Sequence, residues 1–384
     1  MFPDFNIYSL PLLILVTQGL ILALLLFIRF FKEQKVSDIV LAFLVLITCY
    51  HRTTYTIGFM GWYDTFRNTK INYYLISLVL AIGPLIYYYI KSAIQRDFEF
   101  TKRDFIHFVP VLSYILFSLV VFIYDRGQTG FEETQNGPFY LWMMEYLTVI
   151  LAIIFSIQLL VYLFLSFRLY NSFRKQLEDE YSNTYKYELR WLRNFLYVFT
   201  FLFVYDSIQM LTDEYFIDLH WTQEWWYQFF SLLIVIYVGV MGYFTSFSDL
   251  AKVDLTSNAS SLTNKKEQSL DYTLELEKLR QLVEGDKLYL DPNLTLSQLS
   301  RKSKINTSQL SFIINKGLNK NFNDFINGYR VDEVKAMLLD PNKSNLSILA
   351  IAYDSGFSSK ATFNRVFKRI AGKSPSAFRN NPTS

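Results

Sequence analysis

The chain is poor in what most enzyme chemistry is built on. It has one cysteine, Cys49, so no disulfide closes within it. A lone Cys in an apolar run is expected to be a small buried hydrophobe. Its three histidines, His51, His107 and His220, are far apart in sequence and lack metal-ligand spacing. HExxH, GxSxG and P-loop motifs are absent, which removes the zinc-protease, serine-hydrolase and P-loop readings. No lysine falls in 225–247, so a retinal Schiff base there is excluded as well. No metal and no cofactor are expected, and an enzyme reading has no support.

Charge is also scarce. Asp, Glu, Lys and Arg make up 18% of the residues, against about 25% in an ordinary soluble chain. What fills the space is apolar: 52% of the 384 residues are hydrophobic and 18% aromatic, in a chain with room for two or three domains. The deficit is uneven. Long apolar runs occupy the first two thirds, and charge gathers in the last third. From Pro292 to Ser384 there are 14 Lys and Arg against 5 Asp and Glu, a net of +9 where the whole chain carries +3. That imbalance on a small module points to a polyanionic partner.

Crossing a bilayer takes about 20 mostly apolar residues in a helix, because lipid offers the backbone no hydrogen bonds. Seven stretches qualify: about 8–31, 37–60, 72–94, 104–124, 139–165, 192–212 and 225–247. "MFPDFNIY" has no positive n-region and no small-residue cleavage site follows the first run, so that run is read as a retained span. Arg29, Lys32 and Lys35 follow the first span; Lys91, Arg96, Lys102 and Arg103 the third; Arg168, Arg174, Lys175, Lys186, Arg190 and Arg193 the fifth. The alternate loops hold only Arg67, Lys70 and Arg126. The positive-inside rule then places the N-terminus outside and the C-terminus in the cytoplasm, with Trp62, Trp142, Trp221, Trp225 and Trp226 at the outer interface. The expected location is a bacterial cytoplasmic membrane.

Ionisable side chains at membrane depth are candidate functional sites. Arg52, Glu145 and Asp206 fall at similar expected depth, counted at about 1.5 Å per residue from the span ends. With His51, Tyr50 and Gln209 they make a candidate signal site for a small or lipophilic ligand. The competing reading is that Arg52 snorkels, or that the cluster only locks helices together.

Residues 248–272 are Ser-, Asn- and Thr-rich and read as a flexible linker between a membrane domain, 1–247, and a C-terminal domain, 273–384. "TLELEKLRQLVEG" is expected to open that domain as a helix, with Gly285 as its stop. Two similar units follow. Thr295 and Gln298 form a capping box before a short helix with Leu296, Leu299 and Ser300. Asn306 then caps a second helix that buries Leu310, Ile313 and Ile314, leaving Thr307, Ser308, Gln309 and Lys316 on the free face. The pattern returns 52 residues later with Ile348, Ile351 and Ala352, and 53 residues later with Phe363, Val366 and Phe367. The last helix is expected to expose Ser359, Lys360, Thr362, Asn364, Arg365 and Lys368. Gly356 serves the sharp reversal, and Gly372 and Pro375 end the helix. "NFNDFINGYRVDEVKAMLLD" suits a long helix that joins the two units. Two short helices with a tight turn, the second one basic, make a helix-turn-helix whose second helix fits the major groove. The rigid spacer would hold two such helices about 34 Å apart.

"NFNDFINGYRVDEVKAMLL", "IAYDSGF" and "ATFNRVFKRIAGKSPSAFR" resemble the DNA-binding domain of the AraC/XylS family of bacterial transcription regulators, over about 274–380. The resemblance implies base readout by polar positions in 307–316, Ser311 included, and in 359–368, with phosphate contacts from nearby Lys and Arg. Asn319, Phe312 and Ser300 depart from the family's usual Gly, polar or basic residue, and Ala. The expected fold is all-α: a seven-helix transmembrane bundle, then a cytoplasmic domain of two helix-turn-helix units. The expected function is a membrane-bound regulator of double-stranded DNA under control of a sensed signal, with a homodimer as a route to tighter binding. The alternatives are a transporter-like protein whose cytoplasmic domain reports flux, and a scaffold that binds protein.

Overall fold

The computed structural model describes residues 4–62, 77–95, 98–129, 137–184, 188–220, 222–245 and 273–381. The linker 248–272, the first residues of the third expected span, and Arg67, Lys70, Arg96, Lys186 and Trp221 lie outside the described residues. Among those described no strand forms, an isolated antiparallel bridge joins Tyr181 and Thr295, and the fold is all-α as expected. Contacts divide the chain into two units: Met1–Tyr170 with Leu189–Lys252, and Asn171–Glu188 with Val253–Ser384. The second unit therefore includes a stretch from between the fifth and sixth expected spans, which a boundary at 247 leaves with the membrane domain.

The first unit contains α1 (Ser9–Glu33), α2 (Val36–Phe59), α3 (Ile82–Ile94), α4 (Val109–Arg126), α5 (Pro138–Tyr146), most of α6 (Thr148–Glu180), α7 (Arg190–Tyr215) and α8 (Trp225–Phe244). Six helices are long and apolar enough to cross a membrane, while Val79–Ile94 is shorter. α1, α2 and α8 pack mutually, with α3 against α2 and α7 against α8. Close approach is set by small residues: a Cβ on Gly19 would stand 2.3 Å from the Cys49 sulfur, and Cys49 itself is fully buried. The Arg29 guanidinium ties α1 to α2 through buried Asp38 (Nε to Oδ2, 2.7 Å) and to α8 through the Gly242 carbonyl at 3.0 Å. Away from these contacts the helices are apolar outward, with Leu116, Ile123, Ile157 and Phe164 more than half exposed. Continuous apolar faces of this kind require a non-aqueous covering.

The fifth expected span, 139–165, is corrected. Pro138 starts a separate nine-residue helix, α5, whose first N–H groups, on Phe139 and Tyr140, both donate to buried Asp125 at 2.9 Å. The chain breaks at Leu147, and α6 then runs 33 residues to Glu180. Hydropathy falls away after about 165, but "SFRLYNSFRKQLEDE" has no Gly or Pro and is rich in helix formers, so the helix does not stop where the apolar run does.

In the second unit, α9 (Thr273–Gly285), α10 (Leu296–Ser303), α11 (Thr307–Phe312), α12 (Phe322–Leu339), α13 (Ile348–Asp354), α14 (Lys360–Ala371) and α15 (Pro375–Asn380) enclose two cores. Phe322, Phe325 and Ile326 of α12 pack with Leu279, Leu299, Leu310 and Ile314. Val331, Val334, Met337 and Leu338 pack with Ile351, Phe363, Val366 and Phe367. One long helix thus supplies a wall to each half, as its periodicity predicts.

Candidate nucleic-acid interface and intramembrane cluster

The first helix-turn-helix is built from caps. Gln298 N–H donates to Thr295 Oγ1 at 3.2 Å, and Thr295 N–H donates back to Gln298 Oε1 at 2.8 Å, completing the capping box of α10. Lys304 takes a left-handed conformation in the turn (φ 58°), and the Asn306 side chain accepts from Gln309 N–H at 2.7 Å to start α11. Ser300 Oγ donates to the Ile305 carbonyl at 2.6 Å, so a hydroxyl fastens the turn from within. Leu310, Ile313 and Ile314 are fully buried. Thr307, Ser308, Gln309 and Lys316 are exposed, and half-buried Ser311 accepts from Asn315. The last turn, Ile313–Gly317, is π-helical rather than α-helical, a form often met at functional sites. Asn319 takes the left-handed conformation (φ 50°) that its resemblance position demands.

The second unit repeats the plan. Ser347 caps α13 and Ser359 caps α14, accepting from Ala350 N–H at 3.0 Å and Thr362 N–H at 3.2 Å. Gly356 turns with φ +89°, and a Cβ there would meet the Tyr289 carbonyl at 2.5 Å. Both the dihedral and the space exclude a side chain. Lys360, Asn364, Arg365 and Lys368 are exposed on α14. Thr362 is corrected: it is buried, at 6% exposure. It lies at N3, on the same inward stripe as Phe363, Val366 and Phe367, and its hydroxyl accepts from Ser359 Oγ at 2.9 Å. Ser359 and Thr362 therefore hold the start of α14, and the free face belongs to the residues after them. Gly372 closes the helix at φ +75°. Pro375, expected only to stop a helix, also begins one at N1.

Sequence reasoning missed the polar stripe on the inner side of α12. Asn323, Asn327 and Arg330 recur at i, i+4 and i+7, the spacing of a buried face, and that was the available signal. Arg330 is 1% exposed. Its guanidinium donates to the Tyr289 carbonyl (2.7 Å), the Asp291 carbonyl (2.8 Å), Asn327 Oδ1 (3.2 Å), the Ser182 carbonyl (3.1 Å) and Ser182 Oγ (2.9 Å). All five donors are used. Among the described residues no carboxylate is bonded to it, and burial pulls its pKa down to about 10, against the opposing charge of Asp291. Arg369, also unremarked in the sequence, pairs with Asp324 and so fastens α14 to α12.

In the first unit the structure assembles part of the expected ionic cluster. Arg52 stacks over the Tyr227 ring at 4.7 Å and donates to buried Gln228. Its charge acts on Asp206 and on Glu224, a carboxylate the sequence reading left out. His51 is differently engaged: its Nε2 accepts from Leu78 N–H at 3.1 Å, pinning the turn before α3, and its ring meets Tyr50. Gln209 donates to the Gln223 carbonyl at 3.3 Å. It lines a cavity of about 720 Å³ with Tyr8, Tyr205, Trp225 and Trp226. Glu145 is corrected. It is exposed on α5, outside the cluster, because the helix break at Leu147 removes it from the span that its depth was counted along.

Comparison with known proteins bears on the second unit alone. Residues 299–381 match the family described as a helix-turn-helix domain, of AraC type. An uncharacterised helix-turn-helix-type transcriptional regulator of Staphylococcus aureus strain COL is 32% identical over 103 residues, 27% of this chain and 13% of that protein. A counterpart from strain MRSA252 gives the same figures. The melibiose operon regulatory protein of Escherichia coli K12 is 30% identical over 89 residues, 23% of this chain and 28% of its own length. The chain thus spans under a third of each relative. No solved structure matches. The C-terminal region is thus similar to AraC-type helix-turn-helix domains, and the relatives it matches are described as transcriptional regulators or operon regulatory proteins.

Proposed function

We propose that this chain is a membrane-embedded regulator of transcription. It binds double-stranded DNA through α11 and α14 and responds to a signal received by its apolar helices. The observation that carries the reading is a pair of fully capped helix-turn-helix units, with exposed Gln309, Lys316, Lys360, Asn364, Arg365 and Lys368, in one chain with six helices fit to cross a membrane. Polar side chains at the start of such helices read base edges, and the cations hold phosphates. With the shorter apolar helix Val79–Ile94 counted as a seventh crossing, the Lys and Arg distribution supports a cytoplasmic C-terminus in a bacterial inner membrane.

The signal site in this reading is the aromatic cavity beside Gln209, whose lining residues Tyr205, Gln223 and Trp225 are chain neighbours of Asp206 and Glu224, the carboxylates on which Arg52 acts. A small or lipophilic ligand seated there would alter the balance of one guanidinium and two carboxylates in a low-dielectric setting.

The test is a titration of the full chain, in lipid nanodiscs, against duplexes selected from a random pool. Binding to a preferred sequence, with affinity falling steeply as salt rises, is expected. Equal affinity for every duplex, or none, would overturn the reading. In cells, Arg52→Ala or Asp206→Asn at normal expression should abolish the response of target promoters; an intact response in both would remove the cluster from the signal site.

A further inference from the structure

We infer that Glu178–Asn183 is a built-in clamp that docks across both helix-turn-helix units and competes with DNA for them. The inference rests on the DNA-binding reading above.

α6 has 33 residues, about 50 Å of helix, where hydrocarbon spans about 30 Å. Its last turns, from Asn171, belong to the compact second unit, and Phe173 and Leu177 are buried there at 2% and 0%. The chain that follows is fixed to all three parts of the DNA-binding domain. Ser182 N–H donates to the Leu294 carbonyl at 3.1 Å beside the Tyr181–Thr295 bridge, at the start of the first unit. The joining helix α12 donates from Asn323 to the Tyr181 and Ser182 carbonyls (3.2 and 2.9 Å) and from Arg330 to Ser182. Asn183 donates to Ser358 Oγ, next to the residue that caps α14. Ser182 is fully buried. This is more than incidental contact: two of the five Arg330 donors end on one serine.

Charge gives the docking its meaning. Glu178, Asp179 and Glu180 form an acidic tip on the end of α6. Glu178 pairs with Arg174 at 3.3 Å, takes a hydrogen bond from Asn321 at 3.4 Å and lies in the field of Arg365, one of the exposed cations of α14. Asp179 lies near Asn315, in the π-helical turn that ends the first reading helix, and near Lys175 on its own helix. An acidic tip in the field of Arg365 on α14 and near the turn that ends α11 brings negative charge to groups that a phosphate backbone would also approach. Being part of the chain, it acts at an effective concentration near about 1 mM, so a contact with an intrinsic Kd of about 0.1 mM lowers DNA affinity about tenfold. By linkage, DNA binding must favour release of the tip by the same factor.

The test is a reversible lock. Asn183→Cys and Ser358→Cys are introduced into full-length Cys49→Ala protein in nanodiscs. Affinity for a duplex that the reduced protein selects from a random pool is then measured before oxidation, after it, and after re-reduction. The oxidised protein should bind at least about tenfold more weakly and recover on reduction. Equal affinity in both states would overturn the clamp, and failure of the pair to cross-link would overturn the docking. A reduced protein that selects no duplex would instead sink the DNA-binding reading. Independently, Glu178→Gln with Asp179→Asn, without cysteines, should tighten binding severalfold; unchanged or weaker binding counts against the acidic tip as competitor.

Discussion

At the residue scale, two cations of the second unit have opposite tasks. Arg365 is exposed, and its charge acts on Glu178. Arg365→Ala is expected to cost about 1–3 kcal/mol if it reads a base, with relaxed preference at one position, or to reduce the salt slope by about one if it holds a phosphate. Titration at three salt concentrations separates the two. Arg330 is buried with every donor used. Arg330→Ala strands the carbonyls of Tyr289, Asp291 and Ser182 and is expected to destabilise by about 3 kcal/mol or more. Arg330→Lys cannot reproduce a five-donor fork and should recover only a minor part of that loss, read from denaturant midpoints of the full chain. The first role was legible in sequence because a basic helix face announces itself. The second was not. A lone Arg in a helix is ordinarily solvated, and nothing local shows that its partners come from residues 182, 289 and 291.

At the element scale, turn chemistry was the most legible part of the chain. Thr295 with Gln298, Asn306, Gly356 and Gly372 each play the part that their residue type specifies, because a cap or a positive φ is a local demand with few solutions. Gly356→Ala is expected to destabilise by about 2 kcal/mol or more, since it meets both a left-handed φ and the Tyr289 carbonyl. Ser359→Ala removes the cap of α14, with an expected loss of about 1 kcal/mol and greater hydrogen exchange in the first turn of that helix. The ends of helices inside apolar runs were less legible. A hydropathy window senses where lipid contact ends, not where a helix ends, so α6 overran its expected limit and α5 separated from it at Leu147. The inward turn of Thr362 is the same lesson in miniature: exposure assigned by residue polarity fails at N3, where the cap fixes the register.

At the scale of the whole molecule, composition alone divided an apolar first part from a basic last part, and that division persists. What it could not show is that the chain between the fifth and sixth expected spans folds with the last third, because the groups that receive Tyr181 and Ser182 lie more than 100 residues downstream. Proteolysis of inside-out vesicles is therefore expected to reach the last third, in line with the cation distribution, and to spare 178–183 longer than an open loop for as long as 273–381 stays folded. Rapid cleavage there would contradict the burial of Ser182. The length of α6 has one more consequence. A helix that is apolar for its first half and charged for its last rides at a level fixed by acyl-chain length, at a cost of fractions of a kcal/mol per ångström of misfit. Under the proposed function, thicker hydrocarbon would draw the charged end inward, so growth temperature and fatty-acid composition would shift DNA binding with no ligand involved.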